Sequence, residues 1–243
     1  MSKTILITGA STGIGAATAL ELAAGNNLFL HYHRSQTETE ALAQAVAEQG
    51  GTAHLIQADM MNEAGCRHVA EAVAARTDRL DVLVNNAGSL IARHQIESLE
   101  WALIMQIFSL NTFSAMLMTR LCLPLLKQGT RPCIINVTSI ATRSGAPTAT
   151  IYGAAKGALD TFTRGAAREL APHIRVNAVA PGVILTPFHE RFSTQEFLDH
   201  VEGNTPVGRH GTSEEIAKGI AFLIDNEFTT GATLDINGGL FMR

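Results

Sequence analysis

Short aliphatic runs alternate along the chain with longer stretches in which apolar residues recur at intervals of three and four. The runs at residues 4–8, 28–32, 53–58, 82–86, 134–138, 176–180 and 233–236 read as strands, and the stretches between them as helices. Val82, Leu83 and Val84 are apolar without a break. A strand of that kind is buried on both faces, which a parallel sheet flanked by helices provides. The expected fold is therefore α/β, a doubly wound parallel sheet of about seven strands with helices on both faces. No internal repeat, low-complexity tract or Pro/Gly/Ser linker divides the chain, so residues 1–243 are expected to form one domain. The least regular connection, residues 187–211, follows the sixth strand. It reads either as a lid over the ligand-binding edge of the sheet or as an ordinary surface excursion.

Composition narrows the function. Hydrophobic residues make up 46% of the chain and charged residues 16%, with a net charge of −4 and no run of Lys or Arg. A nucleic-acid partner is not expected on that balance. Cys66, Cys122 and Cys133 form no CxxC pair and suggest neither a disulfide framework nor a zinc site. They fit a reducing, cytoplasmic setting. Nine histidines include no HExxH pattern, and no metal is expected. Polar residues break every apolar stretch short of the roughly 18 to 20 residues that span a bilayer, so no membrane partner is expected either.

The first chemistry-bearing motif is Thr8-Gly9-Ala10-Ser11-Thr12-Gly13-Ile14-Gly15, directly after the first strand and opening a helix. Gly9, Gly13 and Gly15 let the backbone approach a pyrophosphate, and Ser11, Thr12 and Ile14 offer N–H groups at a helix N-terminus that attracts the anion. A glycine turn without a ligand is the alternative, and the position after strand one favours the dinucleotide. Asp59, followed by Met60, ends the third strand, where a carboxylate can accept from an adenine amino group or cap the next helix. Asn85-Asn86-Ala87-Gly88 ends the fourth strand, and its small residues leave room for a cofactor at the switch point of the sheet.

Tyr152 and Lys156 stand four apart on a segment of helical period, so the phenol and the ammonium occupy neighbouring positions on one face. A phenol titrates near 10, and acting as an acid/base around neutrality calls for an adjacent cation, which Lys156 can be. Ser139 ends the fifth strand thirteen residues upstream of Tyr152, at the edge where the cofactor lies. Each of the three has a plain structural reading by itself. Together, downstream of a dinucleotide turn, they point to redox chemistry.

With these motifs in order, the sequence resembles the short-chain dehydrogenase/reductase family over nearly its whole length. Residues 8–15 match the family's TGxxxGxG turn, 85–88 its NNAG, and 152–156 its YxxxK. The resemblance implies that Asn111 is a fourth catalytic residue, holding a helix kink and a water that links Lys156 to solvent. It also implies nicotinamide contacts from Pro181, Gly182 and Thr186, and a strand order of 3-2-1-4-5-6-7. The implied reaction is hydride transfer between a nicotinamide and a carbonyl carbon, with Tyr152 protonating the oxygen and Ser139 orienting it.

Within the family the sequence is most similar to 3-oxoacyl-acyl-carrier-protein reductases, through Arg34-Ser35, Pro206-Val207-Gly208-Arg209 and Asn237-Gly238-Gly239. A 3-oxoacyl thioester, carried by acyl carrier protein in those enzymes, is the implied substrate. Where they present basic residues to the carrier, this chain has Arg131 and His173. A ketone reductase or a sugar or secondary-alcohol dehydrogenase of the same family is the alternative. A dinucleotide-sensing regulator and a structural subunit are readings from other classes, and the intact Asn111, Ser139, Tyr152 and Lys156 speak against both. The family's ribose-binding carboxylate position falls on His33, and Arg34 with Ser35 can hold a 2′-phosphate, so NADP(H) is the expected cofactor. The apolar stripe Leu110, Phe113, Leu117, Leu121 and Leu125 suggests a homodimer or homotetramer.

Overall fold

The computed structural model describes residues 2–242, and among these seven strands form one parallel sheet. They are β1 (Thr4–Ile7), β2 (Asn27–Tyr32), β3 (Thr52–Gln57), β4 (Val82–Asn85), β5 (Cys133–Val137), β6 (Arg175–Pro181) and β7 (Thr233–Ile236), in the order β3-β2-β1-β4-β5-β6-β7. Ile5 pairs with Leu28 on one side and with Val82 on the other, which places β1 and β4 together where the winding direction reverses. The doubly wound α/β fold and its strand order are as expected.

Alternate strand residues feed two separate cores. Ile5, Ile7, Leu28, Leu30, Val82 and Val84 pack on one face against α1 (Gly13–Glu21), α2 (Gln36–Glu48) and α10 (Ser213–Asp225). Leu6, Phe29, Leu83 and Ile134 pack on the other against α3 (Glu63–Ala74), α5 (Ser114–Leu126) and α7 (Thr150–Leu170). Both faces of the strand are dry, so the near-continuous apolar runs are the direct consequence of helices on each side. Four strand ends, those of β1, β3, β4 and β5, fall one residue earlier than the sequence suggests. Thr8 and Asn86 leave their strands because they tie the turns that follow, while Thr138 donates to Val179 O on β6 through both its N–H and its hydroxyl.

The expectation of no span-length helix needs correction. α4 (Trp101–Phe108), a single wide π turn (Ser109–Phe113) and α5 run on as one helix of 26 residues, Trp101–Leu126, long and apolar enough to cross a membrane by length and composition. Its polar residues do not interrupt it because they are satisfied locally: the Ser114 hydroxyl donates to Leu110 O at 2.6 Å and Thr112 to Ala155 O on α7 at 2.7 Å. The helix packs on α3, α7 and β4, as a core helix does. The irregular connection after β6 contains two helices, α8 (Pro187–Phe192) and α9 (Gln195–Asn204).

Candidate active site

The glycine turn leaves β1 at its C-terminal end with Gly9 at φ +64° and Gly13 at φ +56°, both in the left-handed region that glycine adopts freely. Space is equally restrictive at Gly15, where a Cβ would lie 2.2 Å from Gly9 O. Thr12 caps α1 without a side-chain bond, so N–H groups of the first turn remain directed at the cleft. Across the cleft, the Thr186 methyl would meet a Cβ on Gly13 at 3.2 Å. The result is a turn whose backbone N–H groups at a helix N-terminus suit an anion such as a dinucleotide pyrophosphate.

Two side chains brace this turn. Asn86 Nδ2 donates to Thr8 O (2.9 Å) and Gly9 O (2.8 Å), while Asn86 N and Ala87 N both donate to Thr8 Oγ1 at 3.0 Å. His31, buried in β2, accepts from Gly9 N through Nδ1 at 3.0 Å and reaches Ala58 O through Nε2 at 3.1 Å. That pairing fixes the neutral ring with its proton on Nε2. Sequence reading passed over His31 as one residue of a strand. Burial pushes its pKa down to about 4, and burial does the same to His189 on α8, with His210 and Arg93 adding to the effect. Both groups titrate near 6.5 in an unfolded chain, so between about pH 6.5 and 4 the unfolded state binds protons that the folded state refuses. Stability is therefore expected to fall as pH drops through that window, by up to about 1.4 kcal/mol per pH unit for each histidine. Urea midpoints measured against pH check this, and His31→Asn, which keeps an acceptor near the Nδ1 position, flattens the slope.

The catalytic residues converge on the carboxyl edge of β4 and β5. Tyr152 and Lys156 lie one turn apart on α7, with Lys156 Nζ 5.8 Å from the phenol ring centroid. Lys156 is buried and donates to Val137 O at 2.8 Å. Burial lowers its pKa to about 8 and raises that of Tyr152 to about 12, with the Ser139 hydroxyl beside the phenol opposing the rise. The expectation that Lys156 pulls the phenol down is not met, because the ammonium is aimed at Val137 O, beside the ring, and desolvation dominates. Ser139 Oγ accepts from Ala141 N at 3.1 Å, which fixes the hydroxyl at the end of β5. Asn111 sits in the π turn, its Nδ2 donating to Ile107 O and Ser89 O at 2.8 Å each and its Oδ1 accepting from Ser89 N at 3.1 Å. The helix irregularity implied at Asn111 is thus present. A Cβ on Gly88 would stand 2.7 Å from Asn111 Oδ1 and 3.0 Å from Lys156 Nζ, so both side chains flank this glycine.

One cavity of about 590 Å³ gathers most of the expected residues: Gly9, Ser11, Thr12, Gly13 and Ile14 of the glycine turn, Asn86, Ala87 and Gly88 after β4, Ser139, Tyr152 and Lys156, and Pro181, Gly182 and Thr186 from the end of β6 onward. The segment after β6 closes it with Phe188, His189, Phe197 and Val201, in keeping with the lid reading. Phe188 stands 5.9 Å from the Tyr152 ring. Arg93, from the loop after β4, also lines the cavity and was not anticipated. Gly15 and Asn111 lie behind the lining and act on it through the contacts above. Arg34 and Ser35 follow the end of β2 outside the cavity, Arg34 exposed and Ser35 capping α2. Asp59 Oδ1 accepts from Met61 N at 2.9 Å, a local turn, and the cap of α3 is Asn62, so the alternative cap role does not fall to Asp59. Met60 is buried in the core beneath the sheet and does not reach the cavity.

Comparison with known proteins adds a family context to this geometry. A short-chain dehydrogenase/reductase family model described as enoyl-(acyl carrier protein) reductase matches residues 9–241. The chain is 36% identical over 249 residues to a cyclopentanol dehydrogenase of Comamonas sp., covering 98% of this chain and 96% of that protein. It is 35% identical over 250 residues to a 3-oxoacyl-[acyl-carrier-protein] reductase of Synechocystis sp., covering 99% and 98%. Among solved structures it is similar to the NADH-dependent reductase A1-R′ responsible for alginate metabolism, with a TM-score of 0.91, 33% identity, and coverage of 100% of this chain and 98% of that one.

Proposed function

The chain belongs to the short-chain dehydrogenase/reductase family of NAD(P)-binding oxidoreductases, and from that premise we propose that it reduces a carbonyl to a secondary alcohol with NADPH, its substrate a 3-oxoacyl thioester. The observation that carries the reading is the meeting of Ser139, Tyr152 and Lys156 in one cavity with the glycine turn. The residues fit the cofactor: Gly9 and Gly15 let the turn close on Ala87 and on its own backbone, where a Cβ would clash, and Gly13 leaves open the space beside Thr186 in the cavity wall. When bound, a reduced nicotinamide supplies the hydride.

The chain's own residues do the rest. Tyr152, with its pKa pushed up to about 12, holds its proton across the physiological range and donates it to the oxygen as negative charge develops there. Ser139 bonds the same oxygen and sets its direction. Lys156, one turn away, has a pKa near 8 that keeps most of it cationic at neutral pH, and it would hold the ribose of the nicotinamide. Asn111 holds the loop of Ser89 against the π turn and so keeps Gly88 seated between it and Lys156.

The three cysteines, free and buried, support a reducing cytoplasmic setting. Trp101, Met105 and Phe113 are exposed along α4 and the π turn, which supports pairing of two copies on this face in a homodimer or homotetramer. A second reading, a ketone reductase or secondary-alcohol dehydrogenase without a carrier, is favoured by one observation. Arg131, which would greet an acidic carrier protein, is paired with Glu227. Steady-state rates decide between them: 3-oxoacyl thioesters are expected to be reduced faster than cyclic ketones or sugars, and the opposite order selects the second reading.

A further inference from the structure

Among the described residues, Arg93 is the one permanent cation lining the cavity that hydride transfer leaves unused. It stands at the rim, where three segments meet on its guanidinium. Nε donates to Phe192 O at 2.6 Å, Nη1 donates to Thr148 Oγ1 at 2.9 Å, and the guanidinium carbon lies 5.6 Å from the centre of the Phe197 ring. The head group is held in place although the residue is exposed, and its Nη2 makes no hydrogen bond among the described residues.

The charge around it is unbalanced. Acids outnumber Lys and Arg by 22 to 18 in the chain, yet the described residues lining the cavity include neither Asp nor Glu. Among the described residues no carboxylate forms an ion pair with Arg93. Lys156 is committed to Val137 O beside Tyr152. His189, on the same wall, adds no charge, because burial keeps its ring neutral. Two donors of a rigid fork are used to fix the group and the remaining edge is left for a partner of opposite charge.

We infer that Arg93 receives an anionic group of the substrate, so that the carbonyl compound reduced in this cavity carries an oxyanion beyond its reacting carbon. The inference rests on the carbonyl-reduction reading and adds the class of substrate to it. A carboxylate on a small oxo acid and the phosphate of a pantetheine-linked thioester offer the same chemistry to the guanidinium.

Two matched pairs of substrates separate these sources: an oxo acid with its methyl ester, and a 3-oxoacyl-coenzyme A with its N-acetylcysteamine analogue. kcat/KM is measured for all four on the wild type, Arg93→Gln and Arg93→Lys. The charged member of one pair is expected to be preferred by about 10-fold or more, the lower end of what a charge-assisted bond supplies at an exposed site, and that pair identifies the source. Arg93→Gln brings the ratio to near one, and Arg93→Lys, which keeps the charge and loses the fork, retains part of it. Both members of a pair suffer equally from the lost lid contacts, so the ratio isolates the charge. A ratio near one in both wild-type pairs, or a ratio that survives Arg93→Gln, overturns the inference while the reductase reading stands. No turnover of any of the four overturns that reading and the inference with it.

Discussion

Tyr152→Phe is expected to lower kcat by at least about 100-fold while leaving dinucleotide affinity within a few-fold of the wild type. Removal of one positioned proton donor accounts for a loss of that size. The ring remains, so its 5.9 Å approach to Phe188 and the packing of α7 are retained and only the hydroxyl is lost. Binding is spared because the glycine turn is braced by Asn86 and His31, neither of which touches the phenol hydroxyl. Turnover measured with saturating cofactor, together with cofactor titration by nicotinamide fluorescence, checks both halves. Comparable activity in the mutant assigns proton transfer elsewhere.

The second large effect is on cofactor choice. NADPH is expected to be preferred over NADH by roughly 10- to 150-fold in kcat/KM, the range a single charge-assisted bond of about 1.5 to 3 kcal/mol supplies. His33, just after β2, stands where a carboxylate would repel a 2′-phosphate, and an imidazole brings no such anion. Arg34 beside it is exposed and in no ion pair among the described residues, so its planar fork is available to a phosphate. Thr12 supplies no second cation from the glycine turn, which concentrates the selectivity in one residue. Arg34→Ala therefore collapses most of the preference by weakening NADPH and leaving NADH nearly unaffected. Equal wild-type values, or a ratio unmoved by the mutation, would place the selectivity elsewhere.

What was legible in the sequence is what depends on near neighbours. The strand runs were readable because each face of β1 or β4 meets its own helix layer, so that both sets of alternate residues are apolar and the run is unbroken. Tyr152 and Lys156 were readable because a four-residue interval on a helix is a spatial statement. His31 was not, since its bond to Gly9 N joins residues 22 positions apart. A polar residue inside an aliphatic strand, next to the glycine turn in the sheet, was the available signal. Arg93 was less accessible still, because Thr148 and Phe192 lie 55 and 99 positions away. The raised Tyr152 and lowered Lys156 pKa values arise from burial, which spacing does not report. Asp59 and Met60 show the converse: a position legible at the end of the third strand, with side chains that serve a local turn and the core.

The central claim is that this cavity transfers hydride directly between a nicotinamide and a substrate carbonyl carbon under the control of Tyr152. The measurement that tests it most directly is transfer of label from NADPH deuterated on one face of the nicotinamide C4, followed by mass spectrometry of the alcohol. The account predicts deuterium on the carbinol carbon from one face only, formed at a rate that drops at least about 100-fold in Tyr152→Phe. Alcohol formed without deuterium from either face, or labelled alcohol formed equally fast by the mutant, would contradict it.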